Sequence, residues 1–348
     1  MATLDLSDYD YTLPPELIAH TPAQPRESAR LLVYDTSGDR VDFCAVADLP
    51  SLIPRTLLVH NDTTVVPARL KGTVRGLPIE VLVLVDQGVA DDGTVRVLVN
   101  RGVKRGEEIS VPRGLFVVLE NHERSMKVRY DGGAAALAML LDTHGETPLP
   151  PYIDSSSSEA VRRTQYQTVF ATSAATSAAA PTASLHFTPA LLNALEAADI
   201  TRTAITLQVG LGTFAPVHAD NVERKALHEE HYFVSRNTAS VIAASRAAGR
   251  SVVGVGTTVV RTLESAKAAL AQGEGTYGTT DLFIFPPYQF TYPDILMTNF
   301  HVPKSSLMCL VQAFINHKGG ARHITELYQA AIVERMRFFS FGDAMLIR

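Results

Sequence analysis

The residues of this chain best suited to proton transfer and anion binding lie in three histidine-bearing segments and at a few glycine-to-hydroxyl junctions. In His228-Glu229-Glu230-His231-Tyr232-Phe233-Val234, an extended backbone sets His228, Glu230 and Tyr232 on one face and Glu229, His231 and Phe233 on the other. A carboxylate beside an imidazole raises its basicity and fixes its tautomer, so His228 with Glu230 is a candidate proton-transfer pair. An exposed edge strand with solvated side chains is the other reading. The segment Ala180-Pro181-Thr182-Ala183-Ser184-Leu185-His186-Phe187 surrounds His186 with small residues that let a ligand come close, though a lone histidine also serves as a satisfied interior residue. Thr298-Asn299-Phe300-His301-Val302-Pro303-Lys304 follows an apolar run and opens a helix, placing Asn299, His301 and Lys304 at one junction.

The junction Val253-Gly254-Val255-Gly256-Thr257-Thr258 runs an apolar strand through two glycines into a helix start. Glycine removes the Cβ that would block a ligand, and the first-turn N–H groups then point at a negative group. The segment lacks the third glycine of a dinucleotide fingerprint and the lysine of a phosphate loop, so it implies neither cofactor class, and an ordinary tight turn is the alternative. Gly210-Leu211-Gly212-Thr213 repeats the pattern, Asn61-Asp62-Thr63 ends another apolar run, and Arg69 lies close by in sequence. Several such strand ends on one side of a sheet would form a single pocket.

The elements that must position these groups fall into two rhythms. From Lys71 to Asp131, short alternating runs (Ile79–Val85, Thr94–Val99, Glu108–Val111, Leu115–Leu119, Met126–Tyr130) are separated by Asp92-Gly93, Arg105-Gly106 and Arg113-Gly114, which predicts a small all-β barrel followed by a helix at Leu137–Leu141. After Glu159, helices alternate with single apolar strands: a helix from Thr188-Pro189, a strand Ala204–Val209, a helix Thr238–Ala248, a strand Ser251–Val255, a helix Thr258–Ala271, a strand Asp281–Phe285, then helices Lys304–Ile315 and Ile324–Arg335. This is an α/β layer or barrel. The expected organisation is an α/β domain with a barrel-like sheet over residues 1–70 and 149–348, carrying an inserted all-β domain over 71–148.

At 348 residues, 46% hydrophobic, the chain buries a substantial core, and no apolar run is long enough to span a bilayer. We therefore expect a soluble cytoplasmic protein. Cys44 and Cys309 offer neither a disulfide framework nor a zinc spacing. A net charge of −5 argues against non-specific nucleic-acid binding. Basic residues nevertheless gather locally, as Arg101, Lys104, Arg105, Arg113, Arg124, Lys127 and Arg129, then Arg162 and Arg163.

Taken in order, Pro25–Leu32, Asn61-Asp62-Thr63 with Pro67–Leu70, Pro148–Ile153, Tyr166–Val169, Ala179–Phe187, Gly212-Thr213-Phe214, Val255–Glu264, Thr298–Pro303 and Ser340–Ile347 resemble the S-adenosylmethionine:tRNA ribosyltransferase-isomerases over nearly the whole chain. The resemblance implies transfer of the ribosyl portion of S-adenosylmethionine to 7-aminomethyl-7-deazaguanine at the tRNA wobble position, giving epoxyqueuosine, adenine and methionine, with no metal. It implies His186, His228, Glu230 and His301 as proton-handling groups. Gly212, Thr213, Gly256, Thr257, Thr258, Arg261 and Asn299 would contact the sulfonium co-substrate, and Arg26, Asn61, Asp62, Arg69 and Lys304 the tRNA or its base. Arg261 and Glu264 could alternatively form a structural helix pair. The chain departs from the family pattern at Thr64, Ser184, Gln208, Leu227 and Pro287. A paralogue with a non-tRNA acceptor and an inactive RNA-binding adaptor are the competing readings. A monomer is expected.

Overall fold

Apolar side chains at every second position build the barrel, and continuous apolar runs build the central strands of the large sheet, in the computed structural model, which describes residues 4–121, 125–154, 156–172, 176–210, 217 and 219–348. The chain opens with β1 (Arg30–Asp35), β2 (Arg40–Ala45), β3 (Leu57–Asn61) and the short β4 (Thr64–Val65). It continues through β5 (Arg69–Val74), β6 (Leu77–Val83), β7 (Thr94–Val99), β8 (Glu108–Val111), β9 (Gly114–Asn121) and β10 (Met126–Tyr130). These six form a closed antiparallel barrel in the order β10-β7-β6-β5-β8-β9. Leu70, Ile79, Val81, Val97, Phe116 and Val128 fill its interior, and the helix Gly133–His144 adds Leu137, Leu140 and Leu141 to the same core.

The remaining strands are β11 (Thr176–Ser177), β12 (Thr201–Leu207), β13 (Ala226–Val234), β14 (Val252–Val255), β15 (Thr276–Leu282), β16 (Ile295–Asn299) and β17 (Ala344–Ile347). The large sheet is nine-stranded and mixed, ordered β15-β13-β12-β3-β14-β16-β17-β1-β2, with β12, β3, β14 and β16 parallel at its centre. It runs between two edge strands, so the α/β rhythm resolves as a layer and the barrel-like curvature expected of this sheet does not close. Of the early strands, β1, β2 and β3 join it, as their apolar runs require, while β4 pairs with β11 in a separate two-stranded sheet.

One face of the sheet packs on the helices Arg236–Ala247 and Thr257–Ser265 through Leu57, Val59, Ile205, Leu207 and Val252. The same face continues through Leu296, Met345 and Ile347 to the helices Ser306–His317 and Ile324–Val333. The opposite face presents Leu31, Val33, Leu58, Val253 and Met297 to the helix Pro189–Ala197, whose start is capped by Thr188 accepting from the Leu191 N–H. The expected helix Thr258–Ala271 is divided at Ala266 into Thr257–Ser265 and Lys267–Ala271. The strand expected at Asp281–Phe285 lies earlier, at Thr276–Leu282. Its Thr-rich edge makes the ladder, while Phe283 and Ile284 leave it to enter the core.

Candidate active site

The parallel strands β12, β14 and β16 end at the same margin of the sheet, and a cavity opens there. Val209 follows β12, Gly256-Thr257-Thr258 follows β14, and Asn299 and His301 come from the end of β16; all line the cavity. Gly256 takes φ 93 and ψ 156, a conformation essentially reserved for glycine. That turn delivers the first N–H groups of the helix Thr257–Ser265 to the cavity wall, making one side of it electropositive. Thr258 Oγ1 is buried there without a hydrogen-bond partner among the described residues.

Two histidines lie close by, His301 among the lining residues and His186 against Asn299. Asn299 links His186 to the wall: its Oδ1 accepts from Thr182 Oγ1 at 2.9 Å, and its Nδ2 donates to the Phe339 carbonyl at 3.3 Å and lies 3.4 Å from His186 Nε2. His186 is fully enclosed, and burial, aided by the positive charges of Arg337 and Arg26, lowers its pKa to about 4. His301 Nε2 lies 2.9 Å from Thr298 Oγ1. The backbone of His301 is held from both ends, its N–H donating to Tyr328 Oη at 2.8 Å and its carbonyl accepting from Tyr11 Oη at 2.5 Å. Burial lowers its pKa to about 3. Burial thus favours the neutral form of both imidazoles, which can accept a hydrogen bond. Tyr152 and Ser340, 2.7 Å apart between Oη and Oγ, complete the wall.

The carboxylate of the other proposed proton pair has partners of its own. Glu230 is buried against Arg261, whose Nη1 donates to Glu230 Oε2. Arg261 also donates from Nε to the Leu282 carbonyl at 3.2 Å, and Glu230 Oε1 accepts from the Gly210 N–H at 3.1 Å. This charge pair ties the helix Thr257–Ser265 to β13 and β15. His228 is exposed, at a register shift of the β13–β15 pairing between Ala226 and Glu230. Glu264 does not pair with Arg261; it accepts from the N–H groups of Thr291 and Tyr292 and from Tyr288 Oη.

The residues expected to meet tRNA make structural contacts. Arg26 donates to the carbonyls of Thr164, Gln165, Gln167 and Leu185. Asn61 clamps β12 through both backbone groups of Leu207. Asp62 accepts from Thr206 Oγ1 at 2.6 Å, and burial raises its pKa. Arg69 donates to the Leu149 carbonyl, Lys304 pairs with Asp10 at 2.8 Å, and Arg162 and Arg163 both pair with Glu159. Gly212, Thr213 and Arg124 lie outside the described residues. Sequence reasoning passed over Thr182, Tyr152 and Ser340 as site residues. Tyr152 sits in a proline-rich connector and Ser340 far along the chain, and neither neighbourhood carries a strand-to-helix signal. Among the described residues, no group of three His, Cys, Asp or Glu side chains is placed to hold a metal ion.

A family profile described as queuosine biosynthesis protein matches residues 6–347. An S-adenosylmethionine:tRNA ribosyltransferase-isomerase of Anaeromyxobacter is 45% identical, the match covering 98% of each chain. The protein of that name from Thermotoga maritima is 40% identical over 99% of this chain and 100% of its own. A crystal structure of S-adenosylmethionine tRNA ribosyltransferase from Thermotoga maritima superposes with a TM-score of 0.55 and 32% identity, covering 98% of this chain and 100% of that one.

Proposed function

Because this chain belongs to the queuosine biosynthesis protein family, we propose that it transfers and isomerises the ribosyl portion of S-adenosylmethionine onto 7-aminomethyl-7-deazaguanine at the wobble position of tRNA, releasing adenine and methionine. The observation that carries the reading is the cavity's polarity: the electropositive helix start after Gly256 and the buried imidazole of His301 line one cavity. The methionine carboxylate is an anion, and the N–H groups after Gly256, with the unpartnered Thr258 hydroxyl, suit it. The sulfonium acidifies the adjacent C5′ hydrogens, and an imidazole at the cavity wall is placed to meet them. His301 lines the cavity and His186 stands behind Asn299, so His301 is the base and His186 orients Asn299. Residues 71–148 act as the inserted domain, and the enzyme works as a monomer in the cytoplasm.

The test is incubation of the purified protein with S-adenosylmethionine and precursor tRNA, following free adenine and the mass gain on the wobble nucleoside. His301→Ala should lower kcat by about 10²- to 10⁴-fold. His228→Gln should leave adenine release intact, since that side chain is away from the cavity. The opposite pattern would move the chemistry to β13.

A further inference from the structure

Three hydroxyls meet at one corner of the cavity, and none of them has a role in the reaction described so far. Tyr152 reaches the wall from the proline-rich connector, its ring against that of Phe339 with the centroids 4.7 Å apart. Its Oη lies 2.7 Å from Ser340 Oγ. Behind them Tyr166 is wholly enclosed, its ring edge-on to Phe341 at 5.9 Å. The Tyr166 hydroxyl faces Ser340, Tyr152 and the Ala180 backbone, yet it completes no hydrogen bond among the described residues. A buried hydroxyl left without a partner is costly, and one set behind two cavity-lining hydroxyls points to a ligand that draws on all three.

The backbone supports the same corner. Phe339 takes φ 72, a left-handed conformation that is costly for a bulky residue. Held there, its ring lies on Tyr152 and its carbonyl accepts from Asn299 Nδ2 at 3.3 Å. Ala180, Pro181, Thr182 and Ala183 line the same cavity with small side chains, which lets a flat ring come close. Burial raises the pKa of Tyr152 to about 12 and raises that of Tyr166 as well, so both phenols keep their protons at neutral pH and act as donors.

We propose that the corner formed by Tyr152, Ser340 and Tyr166 holds the adenine ring of S-adenosylmethionine, the Tyr152 hydroxyl donating to N3 or N7 as adenine departs. The inference rests on the reading that S-adenosylmethionine is the co-substrate, and it names the residues that meet the leaving group. Two flat bases take part in the reaction. Adenine presents ring nitrogens that accept hydrogen bonds, which suits protonated phenols, whereas 7-deazaguanine has carbon in place of N7 and N–H donors on its pairing edge. The corner is also closed from behind, Ser340 being 3% exposed and Tyr166 not at all. A free co-substrate lodges its base at such a closed end, while a base still joined to tRNA enters from the mouth. When the bond between C1′ and N9 breaks, its electron pair passes to adenine and is shared by N3 and N7. The Tyr152 O–H, held by Ser340 with Tyr166 behind it, stabilises that charge without giving up its proton. The proton that adenine finally carries is balanced by the one lost from C5′. Tyr152 is thus the group in contact with the leaving base, and Ser340 and Tyr166 are positioning residues.

The test measures binding of S-adenosylhomocysteine and of its 3-deaza and 7-deaza forms without tRNA, then adenine release from S-adenosylmethionine with precursor tRNA. One of the two deaza forms should bind wild type about 2- to 12-fold more weakly. Tyr152→Phe, which keeps the ring on Phe339, should bind all three forms alike and lower kcat about 10²-fold with the KM for tRNA unchanged. Tyr166→Phe should lower kcat while leaving the denaturant midpoint in place, because it removes a hydroxyl that makes no hydrogen bond in the fold; a merely structural role would not move kcat in this way. Equal responses of wild type and Tyr152→Phe to the deaza forms would overturn the assignment. Variants that raise only the KM for tRNA would also overturn it, placing the acceptor base in the corner. A wild type that binds S-adenosylhomocysteine with this dependence on Tyr152 yet releases no adenine on precursor tRNA would overturn the proposed reaction and leave the adenine corner standing. A wild type that binds no S-adenosylhomocysteine and releases no adenine would overturn both.

Discussion

Arg261 and Glu264 stand three apart on one helix, a spacing that offers them as a pair, yet each finds its partner across the fold. Arg261 meets Glu230 of β13, and Glu264 receives two backbone N–H groups and a tyrosine hydroxyl from the segment Tyr288–Tyr292. Both members of the first pair are buried, so removing one leaves a charge without compensation. Arg261→Gln should cost about 3–5 kcal/mol of stability, read as a lowered denaturant midpoint. If Arg261 instead bound the co-substrate, the midpoint would hold while the KM for S-adenosylmethionine rose. Helical periodicity tells which residues share a face; it does not tell which element packs against that face.

At the scale of elements, the strand-to-helix turn after β14 was legible because its requirement is local. Only glycine adopts the backbone conformation found at Gly256 without strain, and the Cβ of an alanine there would also approach Ala183 at 3.5 Å. Gly256→Ala should cost about 1–3 kcal/mol and weaken S-adenosylmethionine binding by tilting the first helical turn. Thermal melts with and without S-adenosylmethionine check both effects, and a variant with an unchanged ligand-induced shift would remove the helix start from the binding site. The register shift of β13 was not legible, because an irregularity is set by how the neighbouring strand pairs and leaves no mark in the strand's own residue types.

Across the whole molecule, three buried imidazoles couple stability to pH. His60, stacked on Phe170, has its pKa lowered to about 3 by burial and by Arg202, and His186 and His301 are lowered to about 4 and about 3. Their folded pKa values lie below the unfolded value of about 6.5, so the unfolded chain takes up protons first as the pH falls. Stability is fully present above that value and is lost on acidification toward the folded values, by up to about 1.4 kcal/mol per pH unit for each imidazole. Asp86 works in the opposite direction: burial and the nearby Glu230 raise its pKa to about 6, so protonation relieves it as the pH falls. Asp62, whose pKa burial also raises, acts with Asp86; the three imidazoles outnumber the two carboxylates, and the melting temperature should drop between about pH 7 and about pH 5. His60→Gln should make that drop shallower, and a slope untouched by this substitution would show that His60 does not contribute to it.

Residue order alone specified the two rhythms of this chain and hence its classes of sheet, because strand alternation and glycine-marked turns are imposed by neighbouring residues on the backbone. It also marked the junctions at the strand ends. Which junctions converge was decided by the tertiary structure: Gly256, Thr257, Thr258, Asn299 and His301 line one cavity, whereas Glu230 and Arg261 became a buried brace and Arg26 and Asn61 became clamps. Tyr152 and Ser340, 188 residues apart, met on the same wall. Strand order and register arise from packing between distant segments, and no local pattern encodes the neighbour a side chain will meet there.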